Sequence, residues 1–185
     1  MSDSIMVWFA IAVLLFWSMG AYNRLVRLRA QGIAAFATLE VLLNQYITMV
    51  KTNLPETGGA DDAHLDSRVH EASAAWAGLA AAVEQFNASL KVAHARPLQG
   101  PTMRALSTAL DTLYLSWSRL RDLPADLAGP TLPEMLLSQW AQVAAQVEAA
   151  RIEFNCRVGN YNEAIDQFPA RVLAWVFGFK SAQPI

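Results

Sequence analysis

Charge is scarce in this chain. Of 185 residues, 14 are Lys or Arg and 16 are Asp or Glu, 16% in all, where an average soluble domain carries about 25%. A net charge of −2 excludes the basic surface that drives nucleic-acid binding, so no nucleic-acid partner is expected. One cysteine, Cys156, excludes a disulfide framework and any multi-cysteine metal or iron–sulfur centre. The three histidines, His64, His70 and His94, each lack a Glu three residues before them, which removes the Glu-x-x-His pairs by which helical bundles hold metals. No Cys-x-x-Cys-His and no Gly-rich phosphate loop occur, and Gly58-Gly59 reads as a helix breaker. Period-2 alternation is missing too, so no strands are expected. Together these absences predict no cofactor, no metal and no enzymatic activity.

What the chain does have is apolar mass: 54% hydrophobic residues, with 32 alanines, the best intrinsic helix former. Much of it lies at the start. Asp3 is the only charge before Arg24, leaving 20 uncharged residues at 4–23. As a helix they rise about 30 Å, the thickness of the hydrocarbon core. Trp8, Trp17 and Tyr22 supply interfacial aromatics. Residues 1–22 therefore read as a single transmembrane anchor. The competing reading, a cleaved signal peptide, has small residues at Ser18-Met19-Gly20 but lacks a basic leading region. Arg24, Arg27 and Arg29 follow the span directly and no Lys or Arg precedes it. The positive-inside rule then places the N-terminus outside and the bulk of the chain in the cytoplasm, with the periplasmic side as the alternative.

Beyond the anchor, apolar residues recur at alternating steps of three and four. Phe36, Leu39, Leu43, Tyr46 and Val50 form one seam, and Leu65, Val69, Ala72, Trp76, Leu79, Val83, Phe86 and Leu90 a second. Met103, Leu106, Leu110, Leu113, Trp117 and Leu120 make a third. The fourth runs Leu137, Trp140, Ala144, Val147, Phe154, Val158, Tyr161, Ile165 and Phe168, with Arg151 in one seam position. This is the spacing of long helices packed nearly parallel. The fold class expected is all-α: an N-terminal transmembrane helix, then an antiparallel four-helix bundle over 23–168 with helices near 23–54, 63–94, 102–122 and 132–168. Nothing between Ser18 and Arg29 breaks a helix firmly, so anchor and first helix can form one rod. Asp61 or Asp62 is offered as an N-cap for the second helix, and Thr131-x-x-Glu134 as a capping box for the fourth.

Antiparallel order returns the C-terminal segment, 169–185, to the membrane-proximal end. There Trp175, Phe177 and Phe179 stand between Arg171 and Lys180, as in an interfacial amphipathic segment. Contact with lipid, capping of the core and contact with a neighbouring subunit all remain open for them. Asn23, Arg151, Asn155 and Asn162 fall at the same level and could form a buried polar layer that fixes register or assembly, the alternative being that most face water. On that reading, replacing Asn162 or Arg151 with Leu stabilises the protein while loosening its assembly. Cys156 lies off the seam and reads as a bystander.

Tyr22-Asn-Arg-Leu-Val-x-Leu-Arg29, Tyr161-Asn-x5-Phe-Pro169 and Leu173-Ala-x2-Phe-Gly-Phe-Lys180 resemble the LemA family. The resemblance implies a bacterial, inner-membrane, single-pass protein built as an antiparallel helical bundle with no established enzymatic activity. Where that family carries a basic stretch and Asp-Leu-Ile-Pro-Asn-Leu late in the first helix, this chain reads Leu43-Asn-Gln-Tyr-Ile-Thr-Met-Val50. The function expected is a membrane-anchored scaffold that self-associates or binds a membrane-protein partner. The alternative is a membrane-shaping protein acting on lipid through the aromatic segment.

Overall fold

The first proline of the chain is Pro55, and the first helix runs until just before it. In the computed structural model, which describes residues 2–55, 67–123 and 132–185, α1 extends without interruption over Ser2–Asn53. Its 52 residues make a rod about 78 Å long, so the apolar N-terminal stretch and the first bundle helix are one element. Then follow α2 (Ser67–Ala95), α3 (Gly100–Arg121), α4 (Glu134–Asp166) and a short α5 (Ala170–Phe177). No strand occurs among the described residues.

The loops set the direction of travel. Between α2 and α3 the chain turns in four residues, Arg96 to Gln99, with Pro101 in the first turn of α3. Leu98 adopts a left-handed conformation there, φ 72°, which costs about 1–2 kcal/mol for a residue with a Cβ. Its side chain is buried and lies over Gly32 of α1, 3.5 Å from where a Cβ would stand. Burying a leucine is worth about 1.5–3 kcal/mol, enough to offset the backbone strain. At the other loops the expected caps Asp61, Asp62 and Thr131 lie outside the described residues. The α4 helix begins at Glu134, two residues later than expected, with Pro133 at the N-cap position.

Cross-helix pairs give the register. Phe36 meets Phe154 at 5.7 Å between ring centres and Tyr46 meets Trp140 at 4.5 Å, so α4 runs antiparallel to α1. Lys51–Glu84 (2.8 Å) and Glu40–His94 (2.9 Å) tie α1 to α2, also antiparallel. The main packed pairs are α1 with α4 and α2 with α3, joined by α1 against α2.

The first and third seams are buried throughout, and the second is buried from Ala72 onward except for a partly buried Trp76. The fourth needs two corrections. In the first turns of α4, Leu136 and Val143 are buried and Leu137 and Ala144 only partly so, because a 3.6-residue helix drifts against a strict heptad. The seam also stops before Phe168, which lies beyond the helix and is 76% exposed.

The α3 and α4 backbones, by contrast, stay more than 8 Å apart among the described residues. Large rings bridge that gap toward the far end of the bundle. Trp117 of α3 stacks on Trp140 of α4 at 4.0 Å and 10°. Tyr114 packs edge-on against Trp140 and Tyr46, Tyr46 lies tilted on Trp140, and the two hydroxyls are 3.4 Å apart. Burial pushes both phenols above their ordinary range, so the cluster is neutral at physiological pH. Trp140→Ala is expected to cost about 3–5 kcal/mol, because this ring bridges α1, α3 and α4. Urea denaturation followed by circular dichroism measures it.

Candidate functional site

Two groups of residues converge where the apolar third of α1 meets the bundle, here called the base. From Met6 to Tyr22, α1 shows its large apolar side chains outward on every side, Trp8, Phe9, Leu15 and Phe16 among them. The helix is long and apolar enough to cross a membrane, by length and composition, and none of its apolar stretch is buried against the rest of the chain. Among the described residues Leu25 is the first buried one of α1, which places the floor of the core one turn above Tyr22.

The chain reaches the same level from the other side at the end of α4. After Asp166 it turns through Gln167–Pro169 into α5. Ala170 and Ala174 are buried, small enough to bring α5 close against α1 and α4. The helix ends at Gly178, whose φ of 70° a side chain would oppose, and the Phe179 N–H reaches back to the Ala174 carbonyl at 2.9 Å. The aromatics around α5 divide. Phe168 packs on Trp17 at 5.6 Å, and Phe177 and Phe179 on Tyr22 at 5.0 and 5.9 Å, with Phe179 partly buried against the core. Trp175 instead points out, 85% exposed, beside exposed Val172 and Val176. Of the six aromatics expected at the membrane, Trp8 and Trp175 stand clear, while Trp17, Tyr22, Phe177 and Phe179 form a collar joining α1 to the tail.

Beyond Gly178 the last residues lie extended along α4, in the opposite direction to it, and two asparagines hold them. Asn162 donates from Nδ2 to the Ala182 carbonyl and accepts the Ala182 N–H at Oδ1, both at 2.8 Å. Asn155 repeats this pair with Ile185, at 2.9 and 3.0 Å. The registers match. Seven helical residues separate the asparagines, about 10.5 Å, and three extended residues separate their partners, about 10 Å. Each side chain thus offers the tail backbone the two bonds of a neighbouring strand. The Tyr161 hydroxyl donates to the Lys180 carbonyl at 3.2 Å, and Arg104 of α3 donates to Gln183 at 3.2 Å. Burial raises the Tyr161 phenol above its usual value, which keeps it a donor. With Ala182 buried, this strap fills the lower part of the gap between α3 and α4.

The structure does not gather Asn23, Arg151, Asn155 and Asn162 into one layer. Asn23 is exposed on α1. Arg151 pairs with Glu148 at 2.9 Å on its own helix, leaving its Nε buried without a partner. The two asparagines bond to the tail and not to one another. Sequence reading missed the strap because its partner is backbone in an irregular segment, which leaves no side-chain pattern. The available signal was two asparagines one heptad apart, each one residue past a seam position. His70 is exposed, and His94 is held by Glu40 at 2.9 Å, which raises its pKa above the ordinary histidine value. His64 lies outside the described residues. Cys156 is free and exposed. No group of three or more His, Cys, Asp or Glu that could hold a metal occurs among the described residues.

Fold and base together define an all-helical bundle carried on a long apolar N-terminal helix and closed by a C-terminal strap. The family model described as the LemA family matches residues 69–184, from α2 through the strap. The chain belongs to the LemA family. No curated protein and no solved structure matches it.

Asn162→Ala removes both bonds to Ala182, and a cost of about 1–3 kcal/mol is expected. Asn162→Leu is expected to destabilise as well, reversing the effect a polar seam residue would have, because it leaves two buried backbone groups unpaired. Hydrogen exchange at the Ala182 and Ile185 amides, read by mass spectrometry, should rise in both variants while α2 and α3 keep their protection.

Proposed function

We propose that this protein is a membrane-anchored, non-enzymatic interaction platform: α1 holds it in the bilayer, and the bundle associates with its own copies or with a membrane-protein partner. One observation carries the reading. The bundle has a complete apolar core of its own, yet residues 6–22 of α1 and the outer face of α5 add a large exposed apolar surface at one end. A patch of that extent marks a membrane or protein contact. A groove between α1 and α4, about 550 Å³ and lined by Asn44, Gln45, Thr48, Gln139, Gln142 and Gln146, supports the second half of the proposal. Its amides could bond to a partner's polar face without the desolvation of a charge. The compartment proposed is the bacterial inner membrane, with the bundle on the cytoplasmic side, from Arg24, Arg27 and Arg29 immediately after the apolar stretch.

A second reading, action on the lipid interface through α5, is favoured by Trp175, which is exposed with Val172 and Val176 on the face away from the bundle. An indole at the level of the first arginines suits the headgroup region.

Alkaline extraction tests the anchor: the protein is expected to stay with the membrane, and release into the supernatant would overturn the proposal. Crosslinking in those membranes should give discrete adducts, and monomer alone would count against a platform. The single exposed cysteine reports orientation. Cys156 should react with a membrane-impermeant maleimide only after the cells are opened; labelling of intact spheroplasts would reverse the assigned side.

A further inference from the structure

On the stripe of α1 that faces the α4–α5 turn, Val13, Trp17, Gly20 and Arg24 follow one another at helical spacing and line a groove of about 730 Å³. Phe16 forms one wall and Phe168 another. Nothing lies within 4 Å of where a Cβ on Gly20 would stand, so the groove is open along its floor. At its upper end the Arg24 guanidinium meets, among the described residues, only the Gln167 amide oxygen, at 3.5 Å. Among the described residues no carboxylate comes within 4 Å of it.

We infer that this groove seats one phospholipid of the leaflet nearest the bundle, an inference that rests on the membrane-anchored reading. Three features support a lipid as the occupant. First, Val13 and Arg24 are eleven residues apart, about 16 Å along the helix, and half of a bilayer core is about 15 Å. With Val13 at mid-membrane, Arg24 stands at headgroup depth. Second, the polarity is that of an amphiphile, an apolar channel below and one unpaired cation at the mouth, whose fork of donors fits a phosphate. Third, the rival occupant, the apolar helix of a second copy, carries an Arg24 of its own. Copies inserted the same way in one membrane bring two like charges to equal depth, and a second guanidinium supplies no anionic acceptor for the first, whereas a phosphate does. The acyl chain then lies against Val13, Phe16 and Trp17 under Phe168, and the phosphate accepts from Arg24.

Native mass spectrometry of the full chain, purified in mild detergent and supplied with phosphatidylglycerol, tests the inference. The wild type should retain one lipid through detergent exchange. Gly20→Leu fills the open floor and excludes the acyl chain, and Arg24→Gln removes one charge-assisted contact; each should weaken retention by about tenfold or more. Helical content and alkaline-resistant membrane association should be unchanged in both. Equal retention by wild type and both variants would overturn the inference, since it marks unspecific annular lipid. A lipid-free wild-type dimer that Gly20→Leu dissociates would also overturn it, in favour of a second copy. Neither result touches the anchor, which alkaline extraction alone decides.

Discussion

Everything in this structure hangs on α1 being one unbroken helix. It runs 52 residues with no proline, and its backbone hydrogen bonds continue through the change from an all-round apolar surface to a one-sided seam. A helix cannot twist freely about its own axis, so the stripe that buries Leu25, Phe36, Leu39 and Leu43 also dictates which side of the apolar segment faces α4 and α5. The collar of Trp17, Tyr22, Phe168, Phe177 and Phe179 follows from that coupling. A flexible joint near residue 22 would leave these rings with no fixed partners.

The second organising fact is the separation of α3 from α4. Three of the four neighbouring helix pairs around the bundle pack directly, and the fourth is filled by two different devices. Far from the base, Trp117 stacks on Trp140 with Tyr114 and Tyr46 around them. Near the base, the extended tail supplies Ala182 to the core and satisfies its backbone on Asn155 and Asn162. Extended backbone buried between helices would otherwise leave polar groups unpaired, at a cost comparable to the burial gained. The carboxamide side chain answers this because it carries a donor and an acceptor in the same plane, as a peptide group does. The strap therefore completes the fold, and the residues that bind it cannot be exchanged for apolar ones of similar size.

Much of this was legible in the residues. The alternation of three and four steps places the seams of α1 and α3 position by position, because burial repeats with the helical period. The apolar stretch was evident for the same reason: twenty uncharged residues form a surface that no soluble helix needs all round. Leu136 and Val143 are buried where Leu137 and Ala144 are only partly so, because a 3.6-residue helix drifts against a strict heptad along the length of α4. Asn162 binds the tail, a partner that local spacing does not reveal, since a polar residue beside a seam looks the same whether it meets another helix, water or a strap.

Composition and periodicity by themselves determined an all-α chain with four bundle seams, a leading apolar helix and an antiparallel order. Those are properties of local spacing, and each residue carries its share of the signal. Only the tertiary structure decided that the α3–α4 gap is closed by rings and a tail, that Phe177 and Phe179 turn toward Tyr22 while Trp175 turns away, and that Arg24 stands over an open groove at Gly20. These depend on contacts between separate segments, from 20 positions apart for Asn162 and Ala182 to 143 for Arg24 and Gln167. No local period encodes such pairings, because they are selected by shape and by which backbone groups would otherwise remain unbonded.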